Sequence, residues 1–451
     1  MTLGIEGEDL GDRLRRLSAL EVHGSVVGVA GPVVRCRGVA CVVGQQADLW
    51  PSGGLSPIPA EVIGIDGRDV LLMALGPLDG VGPGCAVGTR GRDALVPVGE
   101  GLLGRVVDGL GRPLDGRPLP ALTDRRPLRG EIVPPLDRAR IRMPFSTGIR
   151  VIDAMPTVGL GQRIGVFAGA GVGKSTFLSM IARNSDADVC VVGLIGERGR
   201  EVREFVEDSI TDANRARTVT VAVTGDEAPL ARIRGALLAT TITEFFRARG
   251  AKVLLLLDSL TRFAMALRET GLAAGEIPAS KGYPPSVFAE IARLLERAGC
   301  DDEGCTTAVY TVLVEGDDMS DPVADATRAL LDGHVCLSRD MANRGLLPAV
   351  DVLASSSRLM PQVVAPEHLA AARQIMALLA AHRQAEDLIR IGAYQPGSDP
   401  VVDRARKLLP VFEKFQQQAL GDAASLPHAV DAMFDLARQG AAPGRGLKGD
   451  S

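Results

Sequence analysis

The sequence predicts a multidomain protein with an N-terminal β-barrel, a central α/β domain built on a parallel sheet and a C-terminal α-helical domain. Three observations carry that prediction. Short Val-rich runs broken by Gly and Pro fill residues 22–92, apolar runs of strand length alternate with helical periods over 93–366, and apolar residues recur at helical spacing over 367–440. At 451 residues and 46% hydrophobic content, the chain is long enough and apolar enough for two or three cores.

In residues 1–21, Leu10, Leu14 and Leu17 share a helical face while Arg13, Arg15 and Arg16 lie elsewhere. A short amphipathic helix is predicted there, either docking on a partner or membrane surface or capping its own domain; Gly4, Gly7 and Gly11 weaken it. Val26-Val27-Gly28-Val29, Val33-Val34 and the run at 39–43 supply barrel strands. Turn residues and prolines from 108 to 144 mark a connector. Candidate strands follow at 164–167, 189–194, 218–223, 253–257, 307–314 and 334–337, alternating with helices as in a parallel sheet covered on both faces. Leu369, Ala372, Ile375, Met376 and Leu379 open the helical region, and the Gly-rich residues 441–451 are expected to form a flexible tail.

A net charge of −5, three Tyr and one Trp leave no basic or stacking surface, so no nucleic-acid partner is expected. No apolar run reaches the roughly 18–20 residues of a membrane span, and Glu6, Glu8, Asp9 and Asp12 make the N-terminus too acidic for a secretory signal. A cytoplasmic protein is expected. Seven scattered cysteines argue against a disulfide framework; Cys300 and Cys305 are the one pair spaced to bridge or to bind a metal, without a second ligand pair.

Ala168-Gly169-Ala170-Gly171-Val172-Gly173-Lys174-Ser175-Thr176 lies between a strand-like run and a helical one. It reads as a phosphate-binding loop. Small residues let backbone N–H groups curl around phosphate, the helix N-terminus adds positive potential, Lys174 reaches the terminal phosphates and Ser175 offers a hydroxyl to Mg2+. Ala168 replaces the usual Gly, which the turn tolerates if that position needs no positive φ.

Ligands of open parallel sheets sit beyond the carboxyl ends of the strands. Asp258 ends the run Leu254-Leu255-Leu256-Leu257, as a metal-positioning acid or as a helix cap. Glu197 leaves a strand end after Gly196, where its carboxylate could polarise a water attacking a γ-phosphate, with Arg198 beside it to neutralise phosphate charge. Arg203 and Glu204 read as the solvated start of a helix. Arg358 follows Ala354-Ser355-Ser356-Ser357 on a predicted loop, from which an arginine could enter a neighbouring subunit's site. The acidic stretch 315–321 either contacts a basic partner or caps the helix after Pro322.

These motifs resemble those of the catalytic ATPases of the rotary F/V-type group, and most closely the flagellar protein export ATPases and their injectisome relatives in type III secretion. Besides the phosphate loop, the resemblance rests on residues 98–106, 147–153, 196–204, 281–289, 314–319, 331–334 and 391–394, and it covers nearly the whole chain. It implies a RecA-like P-loop ATPase domain that uses ATP and Mg2+. Carried over by position, Lys174 and Ser175 would bind phosphates and Mg2+, Glu197 would be the catalytic carboxylate, Arg198 would contact phosphate and Glu201 would order water near the metal. Asp258 would be the Walker B acid and Arg358 the arginine finger. Leu347 stands where relatives usually carry an aromatic that packs on adenine, offering apolar contact without stacking.

The resemblance also implies a homohexameric ring whose pore loops, around 284–287 and 317–321, face a central stalk protein. A stator-like regulator would bind the N-terminal helix, export chaperone–substrate complexes would be unloaded and unfolded, and an export gate would hold the ring peripherally at the inner face of the cell membrane. Residues 167–174 and 180–184 look flagellar, whereas 321–325 lean towards an injectisome; the flagellar reading is favoured. A proton-coupled synthase subunit shares the chemistry but not the secretion-branch motifs. An RNA translocase would need the basic or aromatic surface that is missing, and a non-catalytic ring subunit would not need Glu197.

Overall fold

A computed structural model describes residues 23–53, 56–89, 95–314 and 321–441. The predicted N-terminal helix (1–21) and the tail beyond residue 441 lie outside the described residues.

Alternation of apolar and polar residues closes the first six strands into a barrel. They are β1 (His23–Ala30), β2 (Val33–Arg37), β3 (Gln46–Trp50), β4 (Ile58–Asp66), β5 (Asp69–Ala74) and β6 (Ala86–Thr89), in the order β1-β2-β5-β4-β3-β6. In β2, Val34 and Cys36 point inward while Arg35 and Arg37 face solvent, and Leu49, Val62, Leu72 and Val87 complete the interior.

The segment leading into the connector, and the connector itself at one strand, are more ordered than the turn residues suggest. β7 (Leu95–Val98) pairs with β9 (Asp124–Pro127), and the two-residue β8 (Val106–Val107) extends the edge of the main sheet. Elements this short give no period to read.

The main sheet adds β10 (Arg163–Ala168), β11 (Val189–Glu197), β12 (Thr218–Thr224), β13 (Lys252–Asp258), β14 (Gly299–Cys300), β15 (Cys305–Leu313), β16 (Gly333–Leu337) and β17 (Val350–Ser357). Its order is β17-β16-β10-β15-β13-β11-β12-β8, with β14 paired to β15 at one end. All six predicted strands are present. Val253, Leu255 and Leu257 of β13 feed one core and Leu254 and Leu256 the other, so the sheet is covered on both faces as the continuous apolar run requires. Cys300 and Cys305, opposed in register on β14 and β15, form a disulfide, which settles the two roles left open for them.

Two expectations are corrected. The run at 39–43 is not a barrel strand; it forms the turn-containing link between β2 and β3, with Val42 and Val43 exposed. The serines before Arg358 do not form a loop; they end β17, which runs antiparallel to β16 at the sheet edge. Ser355 accepts a hydrogen bond from the Cys336 N–H and donates to the Asp351 carbonyl, so its hydroxyl joins the ladder instead of breaking it. The helices Pro366–Arg390, Pro400–Gln416 and Leu426–Gly440 pack Ile375, Phe412 and Met433 into the same core as Ile164 and Val166 of β10. The helical region is therefore continuous with the sheet-domain core.

The barrel is joined to the sheet domain through a buried ion pair, Arg234 Nη1 to Glu61 Oε2 at 3.4 Å. Burial pushes the Glu61 carboxyl up, opposed by the Arg129 and Arg234 guanidiniums. Arg234→Met leaves Glu61 buried without its nearest cation and should cost about 3 kcal/mol. Chemical denaturation should show a larger loss at pH 8 than at pH 5, because protonation of Glu61 in the folded state relieves the unpaired charge at the lower pH.

Candidate active site

β10 sits between β15 and β16 and delivers the glycine-rich turn at its carboxyl end. Gly171 and Gly173 have φ of +77° and +88°, conformations that favour glycine, whereas Ala168 ends β10 in ordinary strand geometry. That is why alanine is tolerated there. Val172 is buried and pins the turn from below; Ala170, Gly171, Ser175 and Thr176 are exposed above it, and Gly169 is buried beneath. A Cβ on Gly171 would meet nothing within 4 Å, so the space over the loop is open. The helix Lys174–Asn184 starts without a side-chain cap, leaving its first N–H groups for an anion.

Lys174 reaches sideways across the sheet. Its Nζ donates to Asp258 Oδ1 at 2.6 Å and to Glu197 Oε1 at 3.1 Å, and all three side chains are largely buried. Burial opposes the charge on Lys174, but the Asp258 and Glu197 carboxylates outweigh it and hold the ammonium's pKa above its ordinary value. Asp258 also accepts from Thr311 Oγ1 at 2.6 Å. The helix that follows is capped by Ser259, whose side chain accepts from the Arg262 N–H. Asp258 is thus not the cap.

Glu197 owes its direction to a bulge. Ile195 pairs with Val223 and Glu197 with Thr224, so Gly196 is the extra residue, with φ of +75°. Burial and the neighbouring Asp258 charge push the Glu197 pKa up to about 7, against the pull of Lys174. A hydrogen bond between Glu197 and Glu201 raises the first further and lowers the second. Glu201 stands on the next helical turn, with its Oε1 3.9 Å from Arg198 Nη1.

Arg198 itself is exposed and outside the lysine cluster. Leu347 is 43% exposed and lies over the loop: its Cδ2 is 3.5 Å from where a Cβ on Gly173 would stand. Arg358 is not near the loop. Ser357 pairs with Gly333, and Gly333 with Ile164 at the opposite end of β10 from Ala168, about 13 Å away along the strand.

Two residues at the site escaped the sequence reading. Thr311 looks like any β-branched strand residue, and only the sheet register sets it beside Asp258. Arg262 packs its stem on Gly196, where a Cβ would come within 2.8 Å of its own, and its Nε is buried without a hydrogen-bond partner. Its spacing, one helical turn beyond Asp258, was the available signal. Among the described residues no three His, Cys, Asp or Glu side chains converge on a metal position. Ser175 and Asp258 suit a hard cation that takes its other ligands from phosphate and water.

This fold and this cluster define a P-loop nucleotide hydrolase of the ATP synthase type. The ATP synthase alpha/beta family, nucleotide-binding domain, matches residues 148–357, and the T3SS EscN ATPase C-terminal domain matches residues 364–435. A flagellum-specific ATP synthase of Pseudomonas aeruginosa is 46% identical, covering 93% of this chain and 94% of the relative. A type 3 secretion system ATPase of Pseudomonas syringae pv. tomato is also 46% identical, covering 95% and 96%. The assembled ATPase EscN from the enteropathogenic E. coli type III secretion system has a TM-score of 0.87 at 41% identity, covering 92% of this chain and 100% of that one. EscN in complex with its central stalk EscO gives a TM-score of 0.84. The chain belongs to the family of flagellar and type III secretion ATPases, and is an ATP-hydrolysing enzyme of that family.

Gly196→Ala forces a Cβ into positive φ and against Arg262. Stability should fall by about 1–3 kcal/mol, with ATP hydrolysis lost to a greater extent than ATP binding; denaturation, nucleotide titration and phosphate release measure the three.

Proposed function

We propose that this chain uses ATP hydrolysis to energise type III export of flagellar components, working as a homohexameric ring that unloads and unfolds its substrates. The clasp of Lys174 by Asp258 and Glu197 at the mouth of an open phosphate loop carries the enzymatic half of this reading. Residues 169–176 would hold the phosphates, with Lys174 exchanging its carboxylate partners for phosphate oxygens. Ser175 and Asp258 would hold Mg2+, with Glu201 holding it through an ordered water; the ion when bound supplies positive charge against the negative charge developing on the phosphoryl oxygens. Glu197 would accept a proton from an in-line water, with no covalent enzyme intermediate, and Arg198 would turn from solvent to phosphate.

The position of Arg358 at the far end of the sheet favours a role in the next subunit's site, since it lies away from its own. The assembled EscN structures, one with its central stalk, support a ring and a stalk partner here. The stalk-facing surface needs adjustment: Pro284 and Val287 are buried, while the preceding loop is exposed, with Ile277 at 82%. Of the second pore loop, residues 317–320 lie outside the described residues; Asp321 caps the helix Pro322–Leu330. We further place the chain at the inner face of the cell membrane, bound peripherally to an export gate, with a stator-like regulator on its N-terminal helix and chaperone–substrate complexes as cargo. Among the described residues no helix is long and apolar enough to cross a membrane. An injectisome is the second reading, favoured by residues 321–325 and by the equal identity of the P. syringae relative.

Phosphate release against protein concentration, with mass followed in parallel, tests the ring. Wild type should rise cooperatively as it assembles, Arg358→Ala should assemble yet stay inactive, and Glu197→Gln should bind ATP and hardly hydrolyse it. Turnover by a monomer, indifferent to Arg358→Ala, would remove the shared site. Because Glu197 must be ionised to act, kcat/KM should fall with decreasing pH through about 7. Glu201→Gln, which offers an amide donor in place of the carboxylate, should move that limb to lower pH.

A further inference from the structure

The helix Pro400–Gln416 runs out into three glutamines, Gln416, Gln417 and Gln418, of which the first and third are buried. Neither touches Lys174, Glu197 or Asp258. Gln416 Nε2 donates to the carbonyls of Pro348 at 3.1 Å and Val350 at 2.9 Å. The Gln418 backbone N–H donates to the Leu347 carbonyl at 3.0 Å. The Gln418 side chain is itself held on three sides: Nε2 donates to the carbonyls of Gly148 and Asp422, each at 2.7 Å, and Oε1 accepts from the Arg150 N–H at 2.8 Å.

The short segment from Leu347 to Val350 therefore hangs from the end of one helix by the carbonyls of three of its residues. Its first side chain, Leu347, is the half-exposed apolar surface lying over Gly173 of the phosphate loop. A nucleotide whose phosphates occupy that loop must send its remaining half outward, past this surface. An exposed leucine gives apolar contact only if its backbone is fixed; here the Gln416 side-chain amide and the Gln418 backbone N–H hold it, and the Gln418 side chain holds that N–H in place through residues 148, 150 and 422.

We propose that Gln416 and Gln418 are positioning residues for the nucleoside half of the substrate. They set the height of the Leu347 wall over the phosphate loop and leave the phosphoryl chemistry to Lys174, Asp258 and Glu197. The inference rests on the reading above, in which residues 169–176 bind nucleotide phosphates.

Inorganic tripolyphosphate, which has the phosphates and lacks base and sugar, separates the two halves. Gln416→Met and Gln418→Met keep side-chain length and volume while deleting the amide hydrogen bonds. In the assembled full chain, each should raise KM for MgATP about tenfold, in line with the loss of one well-placed apolar contact. Each should leave kcat within about twofold and leave unchanged the inhibition constant of magnesium tripolyphosphate as a competitor. Leu347→Ala should show the same split, and Leu347→Ala combined with Gln416→Met should be no worse than either alone, because both act through one contact.

If tripolyphosphate binding weakens as much as ATP binding, the glutamines support the whole site and the proposal is overturned. It is equally overturned if KM for ATP does not change, or if the double variant is fully additive. Should Gln418→Met not fold, Gln416→Met and the Leu347 cycle still decide the matter. Lys174→Ala is the control for the underlying reading: unaltered tripolyphosphate affinity in that variant would mean that the loop is not the phosphate site, a failure distinct from that of the glutamines.

Discussion

One ammonium group organises this protein. Lys174 is the first residue of a helix, yet its charge is balanced by carboxylates from two strands that are not neighbours of its own, β13 and β11. Holding one cation between two buried anions stabilises the cluster only while all three are in register. The strand order, the bulge at Gly196, the capping of the next helix by Ser259 and the Thr311 hydroxyl all serve that register. With Glu197 protonated the cluster is neutral, and with it ionised it carries one excess negative charge. The raised pKa of Glu197 makes these two states close in energy near neutral pH.

The chemistry-bearing parts of this arrangement were legible as sequence because they need particular residue types at fixed spacing. Glycines at positions 171 and 173, a lysine before two hydroxyl residues and carboxylates ending two apolar runs survive without any knowledge of the fold. What was hidden depends on pairing between distant strands. Thr311 has no distinguishing pattern, and Gly196 gives no sign that it will be the extra residue of a bulge. The serine-rich end of β17 looks like a loop because serine has low strand propensity, which tertiary hydrogen bonding overrides. The cysteine pair could be read only as two possibilities until β14 and β15 were seen to oppose each other.

Both flanking regions are attached by apolar packing, and one of them also by charge. The barrel adds Val33, Met73 and Leu75 to the sheet-domain core around Leu237 and is tied further by a buried ion pair that depends on the protonation of Glu61. The helical region shares an apolar core with β10, so its attachment is broad and insensitive to any single distance. Movement of the helical region relative to the sheet would have to repack that core. The glutamines at the end of the helix Pro400–Gln416 add directional hydrogen bonds at the point where this broad contact meets the phosphate loop.

Under the proposed shared site, the far-edge placement of Arg358 would have a genetic consequence. Its strand ends at the opposite pole of β10 from the phosphate loop, so a subunit that donates this arginine to a neighbour houses one site and serves another. Contacts of that kind run head to tail and give a closed assembly a sense of rotation. In a cell making both intact and defective copies, a faulty chain would then silence a site that is not its own: a copy lacking Arg358 would spoil the site next door while its own remained complete. With that shared site, loss-of-function alleles at the two poles of the strand would be set apart, since a copy damaged at one pole and a copy damaged at the other would restore one working site when seated side by side in the right order.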